Sequence, residues 1–385
     1  MLDLWSRLAR EQAFQLSALV LSTTLAISGT VLASEQQVIP ASLDLLKMPA
    51  PKTLDGTRKL LLSVGRAGKH LISVGQTGLA LTSANKGRHW TQVPMPTAVM
   101  LTAVEFVNEK KGWAVGHDGV ILVSNNGGLS WKRQFDGSQA NAQILRASQA
   151  QLAAAGDIKD EVKRQMLEDR FADAEAASVE GASRPMMDVH FLDEHHGFVV
   201  GSFGQLFETF NGGEHWEFIG QRLKNPEGLH FNSLHASSQG VLFIAAEGGV
   251  VFRSADQGRS WQRTETGYKG NLYGVVTPGG GGVVMAYGFN GHLFRSIDGG
   301  GQWKEIKSVQ GKSIVHGVAL DAERILLASQ DGHLLWSEDA GLSFKLLKQR
   351  LNQRRLSHFD LSPDGQLVAV GLGGITTQQL NTATE

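Results

Sequence analysis

No cysteine occurs among the 385 residues, which excludes disulfides, thiolate zinc sites and a cysteine nucleophile. Proline is sparse, at 9, and tyrosine rarer still, at 3. Charge of one sign is missing too: 36 Lys and Arg face 37 Asp and Glu, a formal net charge of −1, so no whole-surface attraction for nucleic acid is expected. Hydrophobic residues at 42% and charged residues at 19% are globular proportions, neither disordered nor membrane-embedded in bulk. Glycine is plentiful. Its 46 residues are spread along the chain and suit a fold of many tight turns.

Residues 1–33 read as a signal peptide. Arg7 and Arg10 form a positive region, Ala13 to Leu32 is mostly apolar though diluted by Ser and Thr, and Val31-Leu32-Ala33 offers small residues for cleavage. No cysteine follows to take a lipid anchor. Left uncleaved, a run of about 20 residues would just span a bilayer as a retained anchor. On either outcome the body of the protein is expected outside the cytoplasm, in the periplasm.

One pattern recurs along the rest: Ser/Thr-x-Asx-x-Gly-x-x-aromatic. It runs Ser83-Asn85-Gly87-Trp90, Ser124-Asn126-Gly128-Trp131 and Thr209-Asn211-Gly213-Trp216. It continues as Ser254-Asp256-Gly258-Trp261, Ser296-Asp298-Gly300-Trp303 and Ser337-Asp339-Gly341-Phe344. The aromatics are 41, 85, 45, 42 and 41 residues apart, so one repeat carries an insertion of about a repeat's length. Each box has a structural logic. The Asx side chain accepts from nearby backbone N–H groups, the Gly takes positive φ, and the aromatic folds back between sheets as an anchor.

Upstream of each box is a Gly-x-x-Gly turn between strand-like runs: Gly75-Gly78, Gly116-Gly119, Gly201-Gly204, Gly288-Gly291 and Gly371-Gly374, with variants Ala246-Gly249 and Ser329-Gly332. The unit is therefore strand, strand, Gly turn, strand, box, strand: one four-stranded blade of about 42 residues. Seven turns with six boxes predict an all-β, seven-bladed β-propeller of antiparallel blades over residues 58–380, the last blade one strand short. Residues 34–57 are expected to supply that closing strand, leaving 381–385 as a tail.

Between blades two and three, residues 138–183 lose the strand pattern. Ile144, Ser148, Leu152 and Ala155 fall at helical spacing. After Gly156, Asp157 reads as an N-cap before Ile158, Val162 and Met166. A helical hairpin is predicted, either a rim decoration or an arm for a partner.

In a propeller of this connectivity the blade crossovers and Gly turns share one face, and the boxes lie on the other. The crossovers carry Arg184, Arg222, Lys224, Lys269, Lys312, Arg350, Arg354 and Arg355, with Glu227 the one clear offset. That local positive excess suits an acidic or anionic partner, since Arg can hold carboxylates in bidentate fashion. Around the channel mouth the turns place His117, Asp118, Phe203 and Phe289, and the strand starts place Asp188, Asn232, Tyr273, His316 and His358. His117, His316 and His358 are distant from one another in sequence and bring no set of Asp or Glu ligands for a closed site, so no metal and no cofactor is expected.

The boxes resemble the Asp boxes of bacterial neuraminidase repeats, which join the third and fourth strands of propeller blades; that setting makes them structural. Sialidases need an Arg triad, a Tyr nucleophile with a Glu, and an acid. Here Tyr occurs only at 268, 273 and 287, and the Arg-Ile-Pro segment typical of those enzymes is absent. Nothing marks Asp188 and Glu247 as a catalytic pair. The expectation is a non-enzyme, with a carbohydrate-active or carbohydrate-binding propeller as the alternative.

The boxes, together with openings such as Leu101-Thr-Ala-Val-Glu-Phe106 and Gly112-Trp-Ala-Val-Gly116, resemble the photosystem II stability/assembly factor family and its relatives in non-photosynthetic bacteria. The resemblance implies a binding and assembly role on a membrane protein complex. In the photosynthetic members an Arg-rich patch on one face is tied to a membrane-complex precursor. The hairpin departs from that form. Since bacterial relatives are often found beside resistance-nodulation-division exporters, the resemblance makes such an envelope complex the preferred partner, ahead of a glycan.

Overall fold

The second strand of each repeat is predominantly apolar, and its packing explains why. In the computed structural model, which describes residues 44–155, 160–280, 282–362 and 364–384, runs such as Gly112–Gly116 and Leu242–Ala246 are buried at every position. A strand covered on both faces needs no polar alternation. Outer strands such as Lys345–Arg350 are partly solvated and carry polar residues among the buried ones.

The strands form seven antiparallel sheets in simple meander order, six of four strands and the last of three. Blade one spans 61–92, blade two 101–135, blade three 186–218 and blade four 231–265. Blades five, six and seven span 272–306, 314–350 and 356–379. Seven apolar clusters occupy the seven junctions between neighbouring blades, so the core is itself a ring. At the closing junction Leu61, Val64 and Leu71 of blade one pack on Val368 and Val370 of blade seven. An Arg66–Asp360 ion pair and a Lys86–Asp364 pair at 2.7 Å span the same seam.

The boxes are hydrogen-bonded turns. In the fourth, Ser254 Oγ accepts from Gly258 N at 2.8 Å, Asp256 Oδ1 accepts from Ser260 N at 2.9 Å, and Trp261 Nε1 donates to Gly258 O at 3.1 Å. The same serine-to-glycine and Asx-to-backbone bonds recur around Asn85, Asn126, Asn211, Asp298 and Asp339. Trp131, Trp216 and Phe344 are buried with Trp261, whereas Trp90 and Trp303 are half-buried. Gly128 has φ +83, and a Cβ there would stand 2.7 Å from Ile72 of the preceding blade. The box glycine thus gives both the turn and the close approach of blade to blade.

The chain outside the blades departs from expectation in two places. Residues 44–57, the described part of the expected closing segment, add no strand to blade seven. Leu45 O accepts from Ala98 N at 2.9 Å, Ala50 N donates to Met95 O at 3.1 Å, and Leu46 is buried between blades one and two. The apolar anchor at Leu46 carries the segment over the first crossover, and residues 56–58 then pass against the last strand of blade seven on the way into blade one without pairing as a strand. Residues 34–43 lie outside the described residues, as does the expected signal peptide. The tail is not loose either: Lys348 N donates to Ala383 O at 2.9 Å, and Thr384 bridges Leu347 on the outer strand of blade six.

The insertion is a pair of helices, α1 (Gly137–Ala154) and α2 (Glu161–Glu180). Asp136 caps α1 in a reciprocal box with Gln139. The cap of α2 is Asp160, whose side chain accepts from Lys163 N at 3.1 Å; Asp157, the expected cap, falls outside the described residues. Gln143 pins α1 to blade three by donating to Trp216 O and accepting from Phe218 N, both at 2.8 Å. Among the described residues no helix is long and apolar enough to cross a membrane.

Candidate functional site

Each innermost strand opens on a buried apolar residue: Leu61, Leu101, Met186, Phe231, Leu272, Ile314 and Leu356. Immediately after it the register slips by one residue, at the same place in all seven blades. Such a bulge re-aims the side chains that follow. The skipped residues, among them Thr102, Asn232, Tyr273 and Ser357, line a channel cavity of about 210 Å³ with Asp188, His316 and His358 from the next position.

The expected channel-mouth set therefore divides. Asp188, Asn232, Tyr273, His316 and His358 do line the channel, because they lie on innermost strands. His117, Asp118, Phe203 and Phe289 do not. Their turns follow the second strand of a blade, one strand further out. His117 is exposed, Asp118 lies against the start of α1, and Phe203 and Phe289 are 54% and 44% exposed on the crossover face.

Most channel groups hold neighbouring blades together. Val104 N donates to Ser63 Oγ, Thr102 Oγ1 to Met186 O, Leu234 N to Asp188 Oδ2 and Asn232 Nδ2 to Leu272 O, at 2.7–3.3 Å. Burial raises the Asp188 carboxyl to about 7 despite its backbone donors. Burial works to lower the His190 pKa, but Glu105, 2.7 Å away, outweighs it and raises the value. The His316 and His358 rings lie against each other at a tilt of 39°, with centroids 3.7 Å apart. Burial takes His358 to about 4; burial, then the His358 charge, holds His316 well below the usual range. Both are neutral near pH 7. Among the described residues no three His, Asp or Glu side chains are grouped to hold a metal.

The crossover basics also separate by environment. Lys312, Arg354 and Arg355 line one cleft of about 310 Å³ with Gln330 and Asp331. Arg350 joins them from the side, donating to Asp331 O at 2.7 Å with its guanidinium 3.7 Å from the Asp331 carboxylate. Arg355 reaches inward far enough for its charge to temper the burial-driven rise of the Tyr273 pKa. Four cations thus gather around Asp331 between blades five, six and seven. Of these, Arg350 alone is within ion-pair distance of the Asp331 carboxylate, whose nearer partner is His333 at 3.1 Å. Lys224 is exposed by itself, and Lys269 is largely exposed with Glu265 at 3.8 Å.

Arg222 does not belong to this surface. Its guanidinium turns into the junction of blades three and four, 2.6 Å from Glu208, whose side chain is 1% exposed. A buried carboxylate so close outbids the solvent-facing position that the loop sequence suggests. Glu227 offsets none of the cluster either, because it is paired with Arg263 at 2.7 Å. Arg184 lies against the hairpin, its guanidinium 4.6 Å over the Phe203 ring, in a second cleft of about 380 Å³ that α1 and α2 wall on one side. Sequence reasoning missed Arg170 of α2, which lines the same cleft, because only the packing of the hairpin brings it there. The bulge residues were open to detection. The pattern of apolar, any, then small or polar at the head of every innermost strand marks them.

The sequence model of the family described as Photosynthesis system II assembly factor YCF48 matches residues 79–151 and 175–383. The unmatched stretch between lies within the hairpin. The Photosystem II assembly lipoprotein Ycf48 of Synechococcus sp. (strain CC9902) is 28% identical over 201 residues, which are 51% of this chain and 59% of that relative. The chain therefore spans under two thirds of that relative's length. A solved structure of YCF48 bound to D1 peptide gives a TM-score of 0.60 at 17% identity, covering 84% of this chain and 94% of that one. YCF48 from Cyanidioschyzon merolae gives 0.58 at 15% identity, covering 86% and 98%. At such identities the two structures share the fold.

Proposed function

The chain belongs to the Photosynthesis system II assembly factor YCF48 family, and on that premise we propose that it is a non-catalytic assembly factor of the cell envelope, docking on a membrane protein complex from the periplasmic side. The observation that carries this reading is the grouping of Lys312, Arg354 and Arg355 in one cleft, with Arg350 beside it and Asp331 the one acid among the described residues of its lining. Exposed guanidinium groups in a shared concavity offer bidentate donors to acidic segments, and their combined field steers encounter with an acidic surface.

Two of the relatives add support in kind. One is a lipoprotein by name, and another was solved with a peptide bound. A resistance-nodulation-division exporter, the partner expected from the resemblance, is one candidate for the complex. The ring presents the cluster on ordered blades, so docking spares backbone ordering, and the remaining entropic cost is that of fixing the exposed Lys and Arg side chains.

The test is affinity copurification from solubilised native membranes, with the parent against a variant reversed at Lys312, Arg354 and Arg355. The parent should bring down an integral membrane protein in stoichiometric amount, and the variant, folded by circular dichroism, should not. Equal recovery with both would defeat the reading. Glycan binding without a protein partner would favour the carbohydrate-binding alternative.

A further inference from the structure

The cleft between the hairpin and the crossover face of blades three and four contains two arginines that feel acids only at a distance, Arg170 from Glu227 and Arg184 from Asp173 and Glu180. Arg170 of α2 donates to the main-chain carbonyl of Asn225, and Arg184 donates to that of Asp173 at 3.2 Å. Neither has a carboxylate within ion-pair distance among the described residues. A guanidinium carries five N–H donors, and a single carbonyl leaves most of them free. Both side chains are half-buried, and burial lowers the pKa of each from its ordinary value. Partly desolvated, unpaired guanidinium groups are costly unless an anion completes them.

The acids around this cleft are otherwise engaged or exposed. Glu227 makes two hydrogen bonds to Arg263, and Glu247 accepts from His230 N at 3.0 Å. Asp173 is exposed at the rim. Beside the cations the cleft has an aromatic and apolar wall. Phe203, at φ +55, lies between Arg184 and the His230 ring, which it meets at a tilt of 48°, and Ile144, Ala147 and Leu229 add apolar surface. The positive φ belongs to the repeated turn, since Thr77, Asp118 and Asn290 share it; what differs here is the aromatic side chain that the turn presents to the cation. The volume of about 380 Å³ accommodates one or two residues of a peptide.

We propose that this cleft binds a carboxylate of an incoming polypeptide segment, gripped between Arg170 and Arg184 with its flanking side chain against Phe203. The carboxylate is either a chain terminus or an Asp or Glu side chain. Arg170 lies in the stretch that the family model leaves unmatched, whereas Arg184 and Phe203 lie in the matched part, so the hairpin adds one of the two cations to a wall that the ring itself supplies. The proposal rests on the reading of the protein as a docking factor and adds to it a second anchor, apart from the Lys312 cluster.

The experiment screens the full chain on an array of nine-residue peptides of random sequence. Each peptide is made with a free and an amidated C-terminus, and with Asp and Glu or their amides. Retained peptides should depend on a carboxylate: loss on amidation identifies the terminus, and loss on Asn or Gln replacement identifies a side chain. Measured by fluorescence anisotropy on the best peptide, Arg170→Gln and Arg184→Gln should each weaken binding at least tenfold. Ala147→Phe, which fills the cleft and leaves both arginines, should do the same, whereas Arg146→Gln on the exposed side of α1 should not. The proposal fails if no retained peptide depends on a carboxylate, or if Arg184→Gln and Ala147→Phe bind as the parent does. That failure, with membrane-partner copurification intact, would remove the cleft and leave the docking role standing.

Discussion

Truncating Arg222 to Ala should unfold the protein more readily without touching the docking face. The Arg222 Nη1 atom lies 2.6 Å from Glu208 Oε2 and 3.2 Å from Gly258 O, and the Glu208 side chain is 1% exposed. Removing one partner of a buried pair strands the other charge, a loss of about 3–5 kcal/mol. Two features reduce it here. His196 Nε2 stays 3.0 Å from Glu208 Oε1, and the Arg222 side chain is itself 30% exposed. The expected loss is therefore about 2–4 kcal/mol. Urea unfolding followed by tryptophan fluorescence measures it, with an unchanged m-value showing that stability alone has moved. Adding Glu208→Gln to Arg222→Ala should recover about 1–3 kcal/mol of the summed single losses, because the stranded charge is then gone. Lys224→Ala, exposed two residues away, should stay within about 0.5 kcal/mol of the parent. If Arg222→Ala unfolds like the parent but loses the membrane partner, Arg222 belongs to the docking face after all and the burial argument is wrong.

Trp261→Ala should cost about 3–5 kcal/mol in the same assay as a large-to-small core change, with Gly258 O still satisfied by Arg222; a parent-like midpoint would remove the box aromatic from the core. Gly249 has φ +71, and an added Cβ would stand 2.1 Å from Tyr268 O, so Gly249→Ala should destabilise by about 1–3 kcal/mol, against near-neutrality if the turn relaxes freely. For Asp188 the folded pKa of about 7 exceeds the unfolded value, so the folded state holds the extra proton and this group's contribution to stability declines as pH rises from about 4 through 7. Contact with the channel reduces the effect, and the parent should lose about 1–3 kcal/mol relative to Asp188→Asn between pH 5 and 8. A constant difference between the two proteins across that range would mean that Asp188 does not titrate there.

The ring was legible because its signals are local and repeated. A Ser/Thr, an Asx, a Gly and an aromatic kept at fixed offsets mark each third-to-fourth strand turn whatever the rest of the blade contains. The hairpin was legible from its loss of alternation and the helical spacing of Ile144 and Ser148, although its second cap lies at Asp160, three residues beyond the position inferred. What sequence order could not show was which blade a flanking segment would meet. The segment at 44–50 follows its buried Leu46 to the first crossover, a choice made by a pocket between blades one and two that no local pattern announces. Side-chain direction was equally hidden. Arg222 and Arg354 both occupy crossovers, yet a buried Glu208 draws one inward while the other stays exposed. The channel set was read one strand too wide because a turn and a strand start can be close in sequence logic and a strand's width apart in space.

The central claim is that the crossover face docks on a membrane protein. Its most direct measurement is site-specific photocrosslinking in intact cells, with the crosslinking residue placed singly at Lys312 or Arg354 on that face, and at Leu129 or Leu342 among the exposed apolar tips of the box face. The account predicts one adduct with an integral membrane protein from positions 312 and 354 and none from 129 and 342. The same adduct from the box positions alone would contradict it.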